Sequence, residues 1–320
     1  MILAGDIGGT KSWLALFDNH KVAYETQLAS GDYAHFDDLL AAFFAKAAHE
    51  CHLTPQAVSR ISLGVAGPVQ QANEGAYVAA TNLPWRIEAA VIAQRFQAKV
   101  SLYNDLIAVG YAAINDATQR IVLNDVPSQP GSAVVLAAGT GLGAAMFHPH
   151  QQRWLPQASE AGHIDFAPID DQQIALLNFL RKQYPHVSYE RILSGDGFAR
   201  LYRFCSQSQN RREQIDLTAA DANAQITQAA LAKQDPAAME AVTLFARIMG
   251  AKAGNLALAN LPWHGVYLAG NISGVIAPYL QTHFMPAFID KGRFSELMQR
   301  IPVYITPDPR LGLVGAYRLA

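Results

Sequence analysis

The segment Met1–Asp18, MILAGDIGGTKSWLALFD, decides how the rest of the chain is read. An apolar run reaches Gly5-Asp6, crosses the pair Gly8-Gly9 and becomes apolar again. The spacing approaches a phosphate-binding P-loop. That motif needs Gly immediately before Lys-Ser and a helix after it, and here Thr10 holds that place. Beyond it, Trp13, Ala15 and Phe17 alternate with Leu14, Leu16 and Asp18, the period of a strand. The segment therefore reads as a β-hairpin closed by a glycine turn. An ordinary Gly-Gly turn would satisfy the pattern. Asp6 and Thr10 suggest more. Gly8 and Gly9 let backbone N–H groups approach a phosphate, Thr10 adds a hydroxyl, and Asp6 can hold Mg²⁺ directly or through water.

A second hairpin follows about 130 residues later, in SAVVLAAGTGLGAAMFHP, Ser132–Pro149. Its glycines at 139, 141 and 143 do not fit the dinucleotide spacing G-x-G-x-x-G, and AAMF continues as a strand where that motif opens a helix. Two such hairpins imply two related α/β halves with a cleft between them, gripping a nucleotide triphosphate from both sides.

Between the hairpins lies KVSLYNDLIAVGYAA, Lys99–Ala113, a strand turning into a helix with Asn104 and Asp105 at the join. Asn and Asp are preferred helix N-caps, which is one reading. The carboxyl end of a strand is also where α/β proteins place ligand groups, which is the other.

The remaining pattern agrees with an α/β chain. FDDLLAAFFAKAAHECH is amphipathic, SRISLGVAGPV is a buried strand, NEGAYVAATNLPW is extended and RIEAAVIAQRFQ is helical. RWLPQASEAGHIDFAP, Arg153–Pro168, reads as a loop with bunched polar residues, and SQSQNRREQIDLTAADANAQ as an exposed polar segment. From Gln172 the chain is mostly helical, including a long helix capped by Asp235 with Pro236 in its first turn. HGVYLAGNISGVIAPYL is strand, glycine loop and helix, IPVYIT a late strand, and LGLVGAYRLA a final helix.

The bulk properties exclude several classes. The 320 residues exceed a typical single core, so two domains are expected. Half the residues are hydrophobic, and a net charge of −2 without a basic run argues against a nucleic-acid binder. Cys51 and Cys205 form no CxxC pair, which fits a reducing cytosol. The first residues lack a signal-peptide pattern, and no apolar run has membrane-spanning length.

SEAGHIDF holds Glu160 and His163, and SYERILSG holds Glu190. Neither HExxH nor CxxC is present, so hydrogen bonding is favoured over metal binding. Glu190 near a helix start and His163 as a buried histidine both have ordinary structural explanations. Together, however, Asn104, Asp105, Glu160, His163 and Glu190 form a set suited to a polyol. Carboxylates accept from hydroxyls, Asn does both, and His can donate. One carboxylate can also take the proton of a hydroxyl attacking a phosphoryl group.

The ordered set GDIGGTK, TNLPW, NDLIAVG, AAGTGLG, SEAGHIDFAP, SYERILSGDG, GVYLAGNISG, DKGRF and IPVYI resembles bacterial ATP-dependent glucokinases of the hexokinase/actin/Hsp70 superfamily, nearly end to end. The resemblance implies a two-domain actin-like ATPase (ribonuclease H-like) fold. A small α/β domain, residues 1–108 plus about 305–320, would join a larger α+β domain, residues 109–304, across a cleft that closes on glucose. It implies Asp105 as general base for the sugar 6-hydroxyl, with Asn104, Glu160, His163 and Glu190 binding the sugar. Asp6, Gly8, Gly9 and Thr10 would serve phosphate and Mg²⁺, Thr140 and Gly141 the transferred phosphate, and Gly270 the adenosine of ATP. A homodimer is the usual family assembly, and a cytoplasmic enzyme of glycolysis is expected. The chain departs from the family pattern at Lys11, Ala161, Asp196 and Asn271, the last two bearing on nucleotide affinity. It lacks the zinc-binding cysteines of the related ROK group and shows no helix-turn-helix before the first strand. A kinase for mannose or an amino sugar, a non-catalytic sugar sensor and an actin-like filament former are the competing readings.

Overall fold

The computed structural model describes residues 1–73, 75–81, 83–116 and 119–320. Asn82 of the TNLPW motif and Glu74 of the extended segment before it lie outside the described residues. The chain forms two compact units, Met1–Ala117 with Pro309–Ala320, and Thr118–Asp308.

In the first unit, β1 (Ile2–Ile7), β2 (Lys11–Asp18) and β3 (Lys21–Ala29) form an antiparallel meander. Helix α1 (Phe36–Cys51) leads to β4 (Arg60–Val65), which lies parallel to β1. A three-stranded sheet of β5 (Val69–Ala72), β6 (Gly75–Ala79) and β7 (Arg86–Glu88) precedes α2 (Ala89–Phe96). β8 (Lys99–Asn104) then runs parallel to β4 and passes directly into α3 (Asp105–Asn115). The main sheet has the order β3-β2-β1-β4-β8.

Strict alternation builds both faces of that sheet. Leu3, Ile7, Leu14, Leu16 and Leu63 point into one core, where α1 lays Leu39, Leu40 and Phe43. Ala4, Ala15 and Phe17 point to the other, where Ala108 of α3 meets Leu313 and Ala316 of the C-terminal helix, Leu311–Arg318. The small residues on this side allow close approach. A Cβ on Gly315 would overlap the backbone of Ala108. Residue 108, where the sequence suggests the first domain boundary, lies inside α3.

The second unit contains β9 (Ile121–Asn124), β10 (Ala133–Ala138), β11 (Leu142–His150) and β12 (Arg153–Ser159). Helices α4 (Asp171–Leu180), α5 (Gly195–Ser208), α6 (Ala222–Leu231) and α7 (Pro236–Asn260) follow. The unit is completed by β13 (Gly265–Ala269), α8 (Asn271–Val275), α9 (Ala277–Ile289), α10 (Ser295–Met298) and β14 (Val303–Ile305). Its sheet has the order β12-β11-β10-β13-β14-β9. The first five strands repeat the other unit's pattern, two antiparallel pairings followed by two parallel ones.

Two features correct or complete the sequence reading. Arg153–Ser159 is not loop but an edge strand, paired with β11 from His150↔Arg153 to Ala144↔Ser159. It is mostly exposed and therefore carries no alternation, and its Pro156 is tolerated because an edge strand has an unpaired side. The long helix α7 is capped as its sequence suggests, with Asp235 accepting from the backbone N–H of Ala237 at 2.8 Å. Among the described residues, no helix is long and apolar enough to cross a membrane.

Candidate active site

In the first unit, every candidate residue sits at the carboxyl end of β1 or β8, or in the turn after β1. The turn is built by backbone bonds, the Gly8 N–H donating to the Lys11 carbonyl at 3.0 Å. Behind it, the Ser30 hydroxyl donates to the Gly8 carbonyl at 2.7 Å, and the Ser30 N–H donates to the Thr10 carbonyl at 3.0 Å. Ser12 Oγ lies 2.9 Å from Ser30 Oγ. Sequence reasoning missed this support, because Ser30 belongs to a different segment and matches no motif. Gly8 and Gly9 are half-buried and Thr10 is exposed, so the turn is held from behind and open in front.

Asp6 lies at the end of β1, in register with Gly64 of β4. Its carboxyl packs against Gly312 in the first turn of the C-terminal helix, where a side chain would displace it. Burial raises its pKa to about 7, and the negative charge of Asp105 adds to the rise. These two carboxylates therefore sense one another. A cation beside them would remove the repulsion, and a Mg²⁺ held by one or two carboxylates, waters and phosphates matches this donor chemistry. Among the described residues, no group of three His, Cys, Asp or Glu side chains could hold a metal alone.

The junction of β8 and α3 answers the capping question at Asn104. Its Oδ1 accepts from the Leu106 N–H at 3.1 Å, the bond of an N-cap. Its Nδ2 donates to the Gly67 carbonyl at 3.1 Å, which fixes the plane of the amide. Asp105 Oδ1 accepts from the same Leu106 N–H at 2.9 Å. Both residues are only partly buried, so capping leaves them within reach of solvent.

In the second unit, Thr140 and Gly141 form the turn between β10 and β11, and Gly270 directly follows β13. The Gly139 N–H donates to the Gly141 carbonyl at 2.9 Å, and the Gly195 N–H, at the start of α5, donates to the Gly139 carbonyl at 2.8 Å. Gly270 has φ +87°, a conformation that favours glycine, and a Cβ there would stand 2.5 Å from the Ala138 carbonyl oxygen. Thr140, Gly141 and Gly270 thus gather at the carboxyl ends of neighbouring strands β10 and β13.

Glu190 ties the Glu160–His163 segment of the second unit to this turn. Its Oε2 accepts from the Leu142 N–H at 3.0 Å, and a Cβ on Gly141 would come within 2.7 Å of that oxygen. Its Oε1 lies 3.8 Å from His163 Nδ1. The Glu190 N–H donates to the Gly162 carbonyl at 3.0 Å, and the His163 N–H donates to the Glu160 carbonyl at 2.9 Å. Gly162, which sequence reasoning passed over, is required here because a Cβ would collide with the Leu142 carbonyl. Glu160 and His163 are exposed, which departs from the buried histidine that sequence reasoning allowed. The structure brings Glu190, His163 and Gly141 together by side-chain geometry. Glu160 joins them through its backbone.

Paired sheets of this strand order, each ending in a glycine turn beside carboxylates, define an actin-like ATPase fold equipped for phosphoryl transfer to a hydroxylated substrate. The family model described as Glucokinase matches residues 3–320, and the chain belongs to the glucokinase family. It is 36% identical to a glucokinase of Synechocystis sp., over 98% of this chain and 96% of that one. It is 33% identical to a glucokinase of Marinobacter nauticus, over 98% and 95%. Among solved structures, a glucokinase from an Antarctic psychrotroph superposes with a TM-score of 0.82 at 28% identity, covering 99% of this chain and 98% of the other.

Proposed function

We propose that this protein transfers the γ-phosphoryl group of ATP to the 6-hydroxyl of glucose, yielding glucose 6-phosphate and ADP, the first step of glycolysis. The observation that carries the reading is Asp105. It is fixed at the carboxyl end of β8 by the Leu106 N–H and close enough to Asp6 to raise that carboxyl's pKa. In this role Asp105 accepts the proton of the attacking hydroxyl. Asn104, Glu160, His163 and Glu190 hold the sugar's other hydroxyls. Gly8, Gly9, Thr10, Thr140 and Gly141 offer backbone and hydroxyl donors to the phosphates, and Gly270 makes room for the adenosine. Asp6 would hold Mg²⁺, and that ion would supply charge neutralisation at the phosphates. The working form is read as a cytoplasmic homodimer, by resemblance to the family, and sedimentation at micromolar concentration tests the assembly.

The decisive experiment is ATP- and Mg²⁺-dependent phosphorylation of a hexose panel by wild type and Asp105→Ala. Glucose is expected to be the best substrate, with kcat lowered by about 10²–10⁴-fold in the variant and glucose binding largely retained. Turnover of another hexose alone would keep the chemistry and change the substrate. Binding without turnover of any sugar would sink the kinase reading.

A further inference from the structure

Lys252 lies in the middle of α7 with no exposed surface. Its Nζ donates to the Ala161 carbonyl at 2.6 Å and stands 4.7 Å from the centre of the Tyr189 ring. Among the described residues, no carboxylate pairs with it. Burial alone lowers its pKa to about 8, so the ammonium is carried at neutral pH against the preference of its surroundings. A charge kept at a loss to stability calls for a function.

The two groups it touches locate that function. Ala161 lies between Glu160 and Gly162, and Tyr189 immediately precedes Glu190. The two segments are laced by backbone bonds, the Tyr189 N–H donating to Ile164 at 3.1 Å and the Glu190 N–H to Gly162 at 3.0 Å. Tyr189 is itself buried, and its hydroxyl accepts from Asn255 Nδ2, one turn beyond Lys252 on α7, at 3.2 Å. One rigid helix therefore grips both segments from behind, with an ammonium–carbonyl bond on one and a cation–π contact on the other.

We propose that Lys252 is a positioning residue for sugar recognition, clamping the Glu160–His163 loop against the Tyr189–Glu190 segment so that their side chains are held in register. The inference rests on the assignment of Glu160, His163 and Glu190 to the sugar.

The test compares wild type with Lys252→Met, which keeps the side chain's length and apolar stem while deleting its charge and its donor. The KM for glucose is expected to rise roughly tenfold or more, with the KM for ATP unchanged and the melting temperature equal or higher. Hydrogen exchange without sugar is expected to quicken at the His163, Tyr189 and Glu190 amides and to stay constant in the α7 core. An unchanged glucose KM in an active enzyme would overturn the proposal. So would faster exchange spread through the whole second unit, because Lys252 would then be a general stabiliser. If the wild type phosphorylates no glucose, the functional reading fails by itself. The exchange data then decide the clamp: unchanged amides overturn it, and local quickening upholds it.

Discussion

At the scale of the residue, the charged groups at the ends of the first unit's strands carry measurable consequences. Asp6 holds its proton to about pH 7 in the folded chain, whereas an exposed aspartate releases it near 4. Between those values the folded state binds more protons than the unfolded one. Stability therefore falls as pH rises from about 4 to about 7. Asp6→Asn is expected to flatten that slope and to raise neutral-pH stability by on the order of 1–2 kcal/mol, discounted for partial exposure. The same variant should lose Mg²⁺-dependent turnover, and denaturant titrations across pH beside activity assays check both effects. Sequence patterns made Asp6, Asn104 and Asp105 visible because chain neighbours, a glycine turn and a strand–helix join, mark them. They left Ser30, Gly162 and Lys252 unmarked. Ser30 acts on a turn about 20 residues away, Gly162 is demanded by a carbonyl on β11, and Lys252 reaches Ala161 from α7.

At the scale of the element, packing turns on helices that approach with almost no side chain between them. A Cβ on Gly315 of the C-terminal helix would overlap the Ala108 carbonyl, so Gly315→Ala is expected to destabilise the chain by about 1–3 kcal/mol. In α7, a Cβ on Gly250 would meet the backbone of Phe284 in α9, and Gly250→Ala should cost a similar amount. Gly31 has open space around its missing Cβ, and Gly31→Ala should stay within about 0.5 kcal/mol of wild type in the same urea series. Elements with a buried face were legible in the sequence. In α1, Phe36, Leu39, Leu40, Phe43, Phe44 and Ala47 recur at helical spacing, and β1 and β2 alternate between two cores. β12 was not legible, because an exposed edge strand has no face to alternate.

At the scale of the whole molecule, the chain enters the first unit, leaves it for the second and returns. Residues 309–320 return as a helix that covers one face of the sheet begun by residues 2–7. A chain cut after Asp308 keeps the whole second unit but bares Ala4, Ala15 and Phe17 and removes Gly312 from beside Asp6. Such a truncation is expected to lose phosphoryl transfer entirely. Limited proteolysis should digest its first unit and leave a resistant fragment near residues 119–308. Equal resistance of both parts would show that the C-terminal helix is dispensable. The repeated strand order was foreshadowed by the two glycine hairpins, since each begins one copy of the repeated five-strand pattern. The return of the chain was expected only by resemblance, because no local pattern says which sheet a final helix will cover.

That return also sets a timetable. On the ribosome the strands of the first unit emerge early, yet the alanine-lined face of their sheet waits for residues 311–318, made after the entire second unit. The unit begun first is thus the last to close, and during translation its uncovered face is the surface a chaperone would need to guard.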